Sequence, residues 1–191
     1  MFSDLVKYSR SYRGYDESRR VTREELLRFV DCARYAPSSI NRQPLCYKLL
    51  CTPEDCAVLQ PLTGWARALP EHRLPHPGHC PTAFVVICQN TLWDPDLKRY
   101  LRDVGAVAQT ILLAAASEGL GGIMIGNFSP ERVHAALALP AEQVPMLIVA
   151  LGKPDETVVT VDAAPGADLR YYRDEADVHY VPKRRLEDII L

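Results

Sequence analysis

Phe84-Val85-Val86-Ile87-Cys88 is an unbroken apolar run, rich in β-branched residues and with no polar residue between them. A strand with one face in water alternates polar and apolar side chains, so a run of this kind must be covered on both faces. The chain therefore has to place layers of other structure above and below a sheet whose centre holds this segment. Pro145 to Gly152 repeats the pattern and predicts a second buried strand. Between the two, Asp94 and Pro95 open the longest predicted helix. Leu97, Leu101, Val104, Ala108, Ile111, Leu112 and Ala115 follow one helical stripe as far as Gly119. Gly105, Ala106 and Ala114 to Ala116 are small enough to let another helix approach closely.

The remaining elements are marked by their ends. Thr22 and Glu25 have capping-box spacing, and Leu26, Leu27, Val30 and Ala33 recur behind them. Pro37 to Pro44 is a polar loop with proline at both ends, a short strand from Tyr47 to Cys51 follows, and Thr52-Pro53-Glu54 starts another helix. Pro61 to Pro81 carries five prolines and little periodicity, and reads as a surface excursion. Ser129-Pro130-Glu131 caps a further helix. Beyond Lys153-Pro154 the chain turns polar and weakly patterned, a tail with no core of its own. Helices alternate with too few strands for a β-α-β rhythm, so the expected class is α+β in one domain, residues 1–191. Glycines from Gly119 to Gly126 follow a helix rather than a strand, which rules out the dinucleotide fingerprint.

Twenty-two Lys and Arg against 24 Asp and Glu leave a formal charge of −2. No global field draws in nucleic acid or an anionic membrane, and any anion site must be local. Met1 to Arg10 is too polar for a secretory signal and no stretch is long enough to span a membrane, so a cytoplasmic protein is expected. Six cysteines fit neither a metal-pair spacing nor a secreted disulfide framework. Cys32 and Cys88 sit in apolar patterns and are expected to be core residues. His72, His76, His79 and Cys80 fall close together in the excursion, but at no recognisable zinc-ligand spacing.

Three segments are polar beyond what a fold requires. Arg10, Ser11 and Arg13 offer two guanidinium forks and a hydroxyl, a set suited to phosphate. Pro37-Ser38-Ser39-Ile40-Asn41-Arg42-Gln43-Pro44 offers side-chain donors and acceptors on a stiff loop, able to read the edge of a heterocycle. Lys183 and Arg185 flank Arg184 near the end of the chain, as part of an otherwise ordinary solvated charge run.

In order, Arg10-Ser11-x-Arg13, Ala36-Pro37-Ser38-Ser39-x-Asn41-x-Gln43-Pro44, the Gly119–Gly126 passage, Gly152-Lys153-Pro154 and Val181-Pro182-Lys183-Arg184-Arg185 resemble the signature of the nitroreductase family. The resemblance implies an α+β fold with a central, mostly antiparallel sheet flanked by helices, and an intertwined homodimer whose C-terminal tail extends onto the partner. It implies FMN as cofactor, with Arg10, Ser11 and Arg13 facing the phosphate and ribityl chain and Lys183 and Arg185 closing over the phosphate. Pro37, Ser38, Ser39 and Asn41 would reach the isoalloxazine ring from the other subunit. Met124, Ile125 and Gly126 would lie along the ring and present backbone groups to it. NADH or NADPH would supply hydride and a small electron-poor acceptor, a nitroaromatic or quinone, would take electrons in ping-pong order, with no catalytic side chain. The excursion 61–81 would shape the acceptor pocket. Two other readings stay open: an FMN-binding or storage protein without efficient turnover, and a flavin enzyme of the same fold with one dedicated substrate.

Overall fold

A computed structural model describes residues 1–191. The two apolar runs are the spine of an antiparallel sheet. β3 (Ala83–Asn90) is buried along its whole length, and it pairs with β5 (Gln143–Pro154) on one side and β2 (Leu45–Leu50) on the other. Successive side chains of a strand point to opposite faces. Ala83, Val85 and Ile87 accordingly meet α2 (Arg23–Ala33) and α4 (Leu101–Ser117), whereas Phe84, Val86 and Cys88 meet residues of α3 (Pro53–Leu59) and α5 (Pro130–Ala136). Beyond its pairing with β3, the long β5 also carries β4 (Gly121–Ile125) and, at its far end, β1 (Tyr15–Asp16). α1 (Phe2–Tyr8) precedes the sheet.

Several expectations hold in detail. Thr22 Oγ1 accepts from Glu25 N while Glu25 returns to the Thr22 N–H, and Thr52 caps α3 in the same way with Pro53 in its first turn. Ser129 caps α5. Others need correction. α4 begins at Leu101, not at Asp94, because the Asp94 carboxylate accepts from Asp96 N and Tyr100 Oη and ties the preceding residues into turns. The Gly119–Gly126 passage contains a strand. Gly122 can have no side chain there, since a Cβ would collide with the Ala150 carbonyl and Leu112. In α2 the inward residues are Leu26, Phe29 and Ala33, so Leu27 is exposed. Cys32, off that stripe, is exposed, while Cys88 is buried as expected.

The C-terminal stretch is not a structureless tail. β6 (Val158–Ala163), β8 (His179–Arg184) and β7 (Tyr172–Arg173) form a second, three-stranded sheet, with β6 and β8 parallel and β7 and β8 antiparallel. Burial of charged groups ties this sheet to the N-terminal segment. Arg173 pairs with Glu156 and, at 2.9 Å, with Asp177. Glu156 also accepts from the backbone N–H groups of Arg13 and Gly14. The excursion packs Ala66, Leu69 and Leu74 against Tyr171 and fastens to the same region through His76–Asp177 (3.2 Å) and His79–Asp155 (2.8 Å).

Candidate functional site

After α1 the chain runs extended along the outer edge of β4. Ser11 bridges Gly122 in parallel, and the Tyr12 N–H donates to the Gly122 carbonyl at 3.2 Å. Tyr12 lies over Gly121, where only glycine leaves room for its ring. Ser9, Arg10 and Ser11 are thereby held beside Met124, and Gln109 and Leu112 of α4 form the facing wall. Lys183 arrives from β8, and together these seven residues enclose a hollow of about 230 Å³. Arg10 Nη2 donates to the Val6 carbonyl at 2.7 Å, while its Nε is buried with no partner.

Strand geometry adds backbone groups to this hollow. Gly122 turns its carbonyl to the outer edge of β4, so by the two-residue repeat of a strand Met124 turns its own N–H and C=O to that edge, past the end of the Ser11 bridge. The Met124 side chain lines the hollow, whereas Ile125 is buried with Phe84 and Val86 on the other face of the sheet. By the same repeat Ile125 turns its N–H and C=O inward to β5, opposite Ile148, so neither its side chain nor its peptide groups face the hollow. Gly126 is exposed, with open space beyond its Cα.

Pro37, Ser38 and Gln43 of the Pro37–Pro44 loop line a separate hollow of about 140 Å³ with Ala33, Arg34, Ala36, Leu45, Tyr47, Asp103 and Val107, whereas Ser39 and Asn41 stand outside it. The middle of the loop is a single 3₁₀ turn, Ser39–Asn41, and three non-glycine residues take left-handed conformations: Ile40 (φ 48°), Asn41 (φ 54°) and Gln43 (φ 52°). Asp103 Oδ2 accepts from Ser38 Oγ at 2.7 Å and from Ser39 N at 3.0 Å, and Ser38 Oγ in turn accepts from Gln43 N at 3.0 Å. Asn41 Oδ1 accepts from Gln43 Nε2 at 3.0 Å, which leaves the Asn41 amide protons free to donate elsewhere.

At 3.6 residues per turn, Asp103 and Val107 lie roughly half a turn around α4 from Gln109 and Leu112. The two hollows therefore open on opposite flanks of one helix. A single chain does not join them.

Two sequence-identified residues are placed elsewhere. Arg13 is buried and turns away from Arg10. Its Nη1 donates to the Ser11 carbonyl at 3.0 Å and to His179 Nε2 at 3.1 Å, and its guanidinium lies 4.8 Å from the centre of the Tyr171 ring. Because arginine only donates, His179 Nε2 must accept, which puts the imidazole proton on Nδ1 and makes the ring neutral. Burial first, and then the charges of Arg13 and Arg173, push the His179 pKa down to about 4. Arg185 leans back on Asp188 (3.0 Å) and Glu187 (3.3 Å) and does not line the hollow. Within one chain, no excursion residue lines either hollow. Sequence reasoning missed Gln109 and Asp103, both hidden within a helical pattern, and His179, which has no local motif.

A five-stranded antiparallel sheet with helices on both faces, and two polar hollows flanking one central helix, define an α+β protein of nitroreductase-like architecture. Residues 6–153 match the model of the Nitroreductase family, and the chain belongs to that family. The β6–β8 sheet, with Lys183 and Arg185, lies outside the matched residues. Among relatives, a Bacillus subtilis protein assigned as NAD(P)H nitroreductase YdgI is 24% identical, the match covering 80% of this chain and 88% of that one. An Archaeoglobus fulgidus protein assigned as NADH dehydrogenase/NAD(P)H nitroreductase is 26% identical, over 80% and 84%. The fold also matches the solved structure of a nitroreductase in complex with FMN from Exiguobacterium sibiricum, with a TM-score of 0.66 and 19% identity over 82% of this chain and 89% of that one.

Proposed function

We propose that this chain is an FMN-dependent oxidoreductase that uses NADH or NADPH to reduce a small electron-poor acceptor such as a nitroaromatic or quinone. The observation that carries the reading is the convergence of Arg10, Ser11 and Lys183, from opposite ends of the sequence, on one hollow beside the outward backbone of Met124. A buried Arg10 Nε without a partner is a donor awaiting an acceptor, and a phosphate oxygen fits it. Ser9 and Ser11 add hydroxyl donors and Lys183 adds charge. Open space beside Gly126 leaves room for a flat ring.

When bound, FMN would supply the redox chemistry that links nicotinamide oxidation to reduction of the acceptor. This chain binds and orients. Arg10, Ser11 and Lys183 hold the phosphate end, and Met124 and Gly126 offer backbone groups along the ring, while Ile125 fixes this end of β4 against β5. Arg13 braces the Ser11 carbonyl from beneath rather than meeting the phosphate, and Arg185 contributes only to the field. Pro37, Ser39 and Asn41 serve the ring from a second copy, with Ser38 holding their loop in place, because the loop hollow and the phosphate hollow face apart within one chain. Gly105, on an exposed part of α4 with no neighbouring atom near its missing side chain, provides a face for the close approach of that copy. The reading is thus a homodimer with one domain per chain. Its place is the cytoplasm, in keeping with a family of soluble enzymes; no helix is long and apolar enough to cross a membrane.

The test is the visible spectrum of the purified protein before and after anaerobic addition of NADH and then NADPH. Flavin bands that bleach support the oxidoreductase. A protein that is colourless and ignores added FMN sinks it, and bound flavin that neither nicotinamide reduces supports a binding protein instead. Arg10→Ala should raise the FMN dissociation constant by about ten- to a hundredfold, the effect of losing a charge-assisted bond of about 1.5–3 kcal/mol.

A further inference from the structure

We propose that Asp103 is a positioning residue for the flavin ring, holding the Pro37–Pro44 loop in the shape that receives it. The inference rests on the flavin reading above. Asp103 lies in the first turn of α4, where the helix dipole favours a carboxylate, and it is 6% exposed. Both loop protons it accepts go to the same oxygen, Oδ2, from Ser38 Oγ and Ser39 N.

A carboxylate only accepts, so the direction of every bond in the chain is fixed. Ser38 donates its single proton to Asp103 and accepts the Gln43 N–H on the same oxygen. Ser38 is therefore a brace and has no proton left for a ligand. The donors that remain for the ring are the Ser39 hydroxyl and the Asn41 amide. Three left-handed, non-glycine residues follow Ser38 within five positions. Each is a conformation that side-chain-bearing residues adopt at a cost, and such a loop keeps its shape only when anchored from outside. Asp103 anchors its beginning. Arg42, donating from Nε to the Trp93 carbonyl at 2.8 Å, anchors its end.

The experiment is an FMN titration of the apoprotein, followed by flavin fluorescence, for the parent, Asp103→Ala, Asp103→Asn, Ser38→Ala and the Ser38→Ala/Asp103→Ala pair. Melting temperature and hydrogen exchange at residues 38–43 are measured alongside. Asp103→Ala should weaken FMN about tenfold or more, while Asp103→Asn, whose amide oxygen can take both protons, should return to within about threefold of the parent. The double variant should be no weaker than Asp103→Ala alone, because both changes break one linkage. If Asp103→Ala does not fold, Asp103→Asn and Ser38→Ala carry the test through affinity and loop exchange. Parent-like affinity in the alanine variant, an asparagine no better than alanine, or fully additive losses would each overturn the proposal. A parent that takes up no FMN overturns the flavin reading, and the exchange at 38–43 then decides separately whether Asp103 anchors the loop.

Discussion

The two sheets of this molecule are held together by different forces. Around β3, both faces are covered by aliphatic and aromatic side chains, with Phe84, Val86, Ile87 and Ile148 wholly buried. Around β7 and β8 the buried groups are Arg173, Glu156, Arg13 and His179, and the neighbouring excursion contributes three apolar residues. Apolar burial offers no charge to titrate and no ion pair to screen, whereas buried charges depend on each partner being present and in one protonation state. The candidate phosphate hollow lies on the seam, taking Arg10, Ser11 and Met124 from one region and Lys183 from the other. Its integrity therefore follows the weaker side.

The comparison can be broken at its strong end first. Phe84→Ala should cost about 3–5 kcal/mol in denaturant unfolding, with the same loss at low and high salt. Glu156→Ala, which leaves buried Arg173 without its closest partner and two N–H groups unpaired, should cost about 3 kcal/mol. Its signature is regional: amides of residues 158–184 should exchange faster while those of Ala83–Asn90 stay protected. Equal acceleration in both regions would show the two sheets to be one cooperative unit.

An effect of similar size sharpens the contrast through pH. The His179 pKa falls from 6.5 in the unfolded chain to about 4 in the folded one. As pH drops, the unfolded chain takes the proton first. Stability present above pH 6.5 is therefore lost between 6.5 and 4, amounting to about 3 kcal/mol. Stability curves for His179→Gln should be flatter over that window than those of the parent, and parallel curves would remove His179 from the seam. Smallest of all, Arg185→Ala should change stability by less than about 0.5 kcal/mol, since Arg185 pairs with its own neighbours at the surface.

The same division governs what the sequence made legible. β3, β5 and the caps at Thr22, Thr52 and Ser129 are local statements, written in consecutive residues. β4 is not, because Gly121 and Gly122 are chosen for what Tyr12 and Ala150 need rather than for any strand pattern of their own. β6 to β8 are half-buried and joined by charges, so no apolar period announces them. Of the site, Arg10, Ser11, Lys183 and Met124 could be read in advance and do come together. Arg13 has the same chemistry as Arg10 but is claimed by His179, a partner 166 positions away that no spacing rule reaches. Asp103 looks in sequence like an ordinary polar position on a helix, and only the packed chain brings the loop to it.

β5 serves as partner to β1, β3 and β4, and the segment leading to β1 leans on residues 122, 156 and 179. During synthesis the segment leading to β1 thus leaves the ribosome well before the residues that fix it. Closing so long a loop is entropically slow. The strip before β1 therefore docks late, and the hollow that it lines with Lys183 takes shape only after β8 has been made.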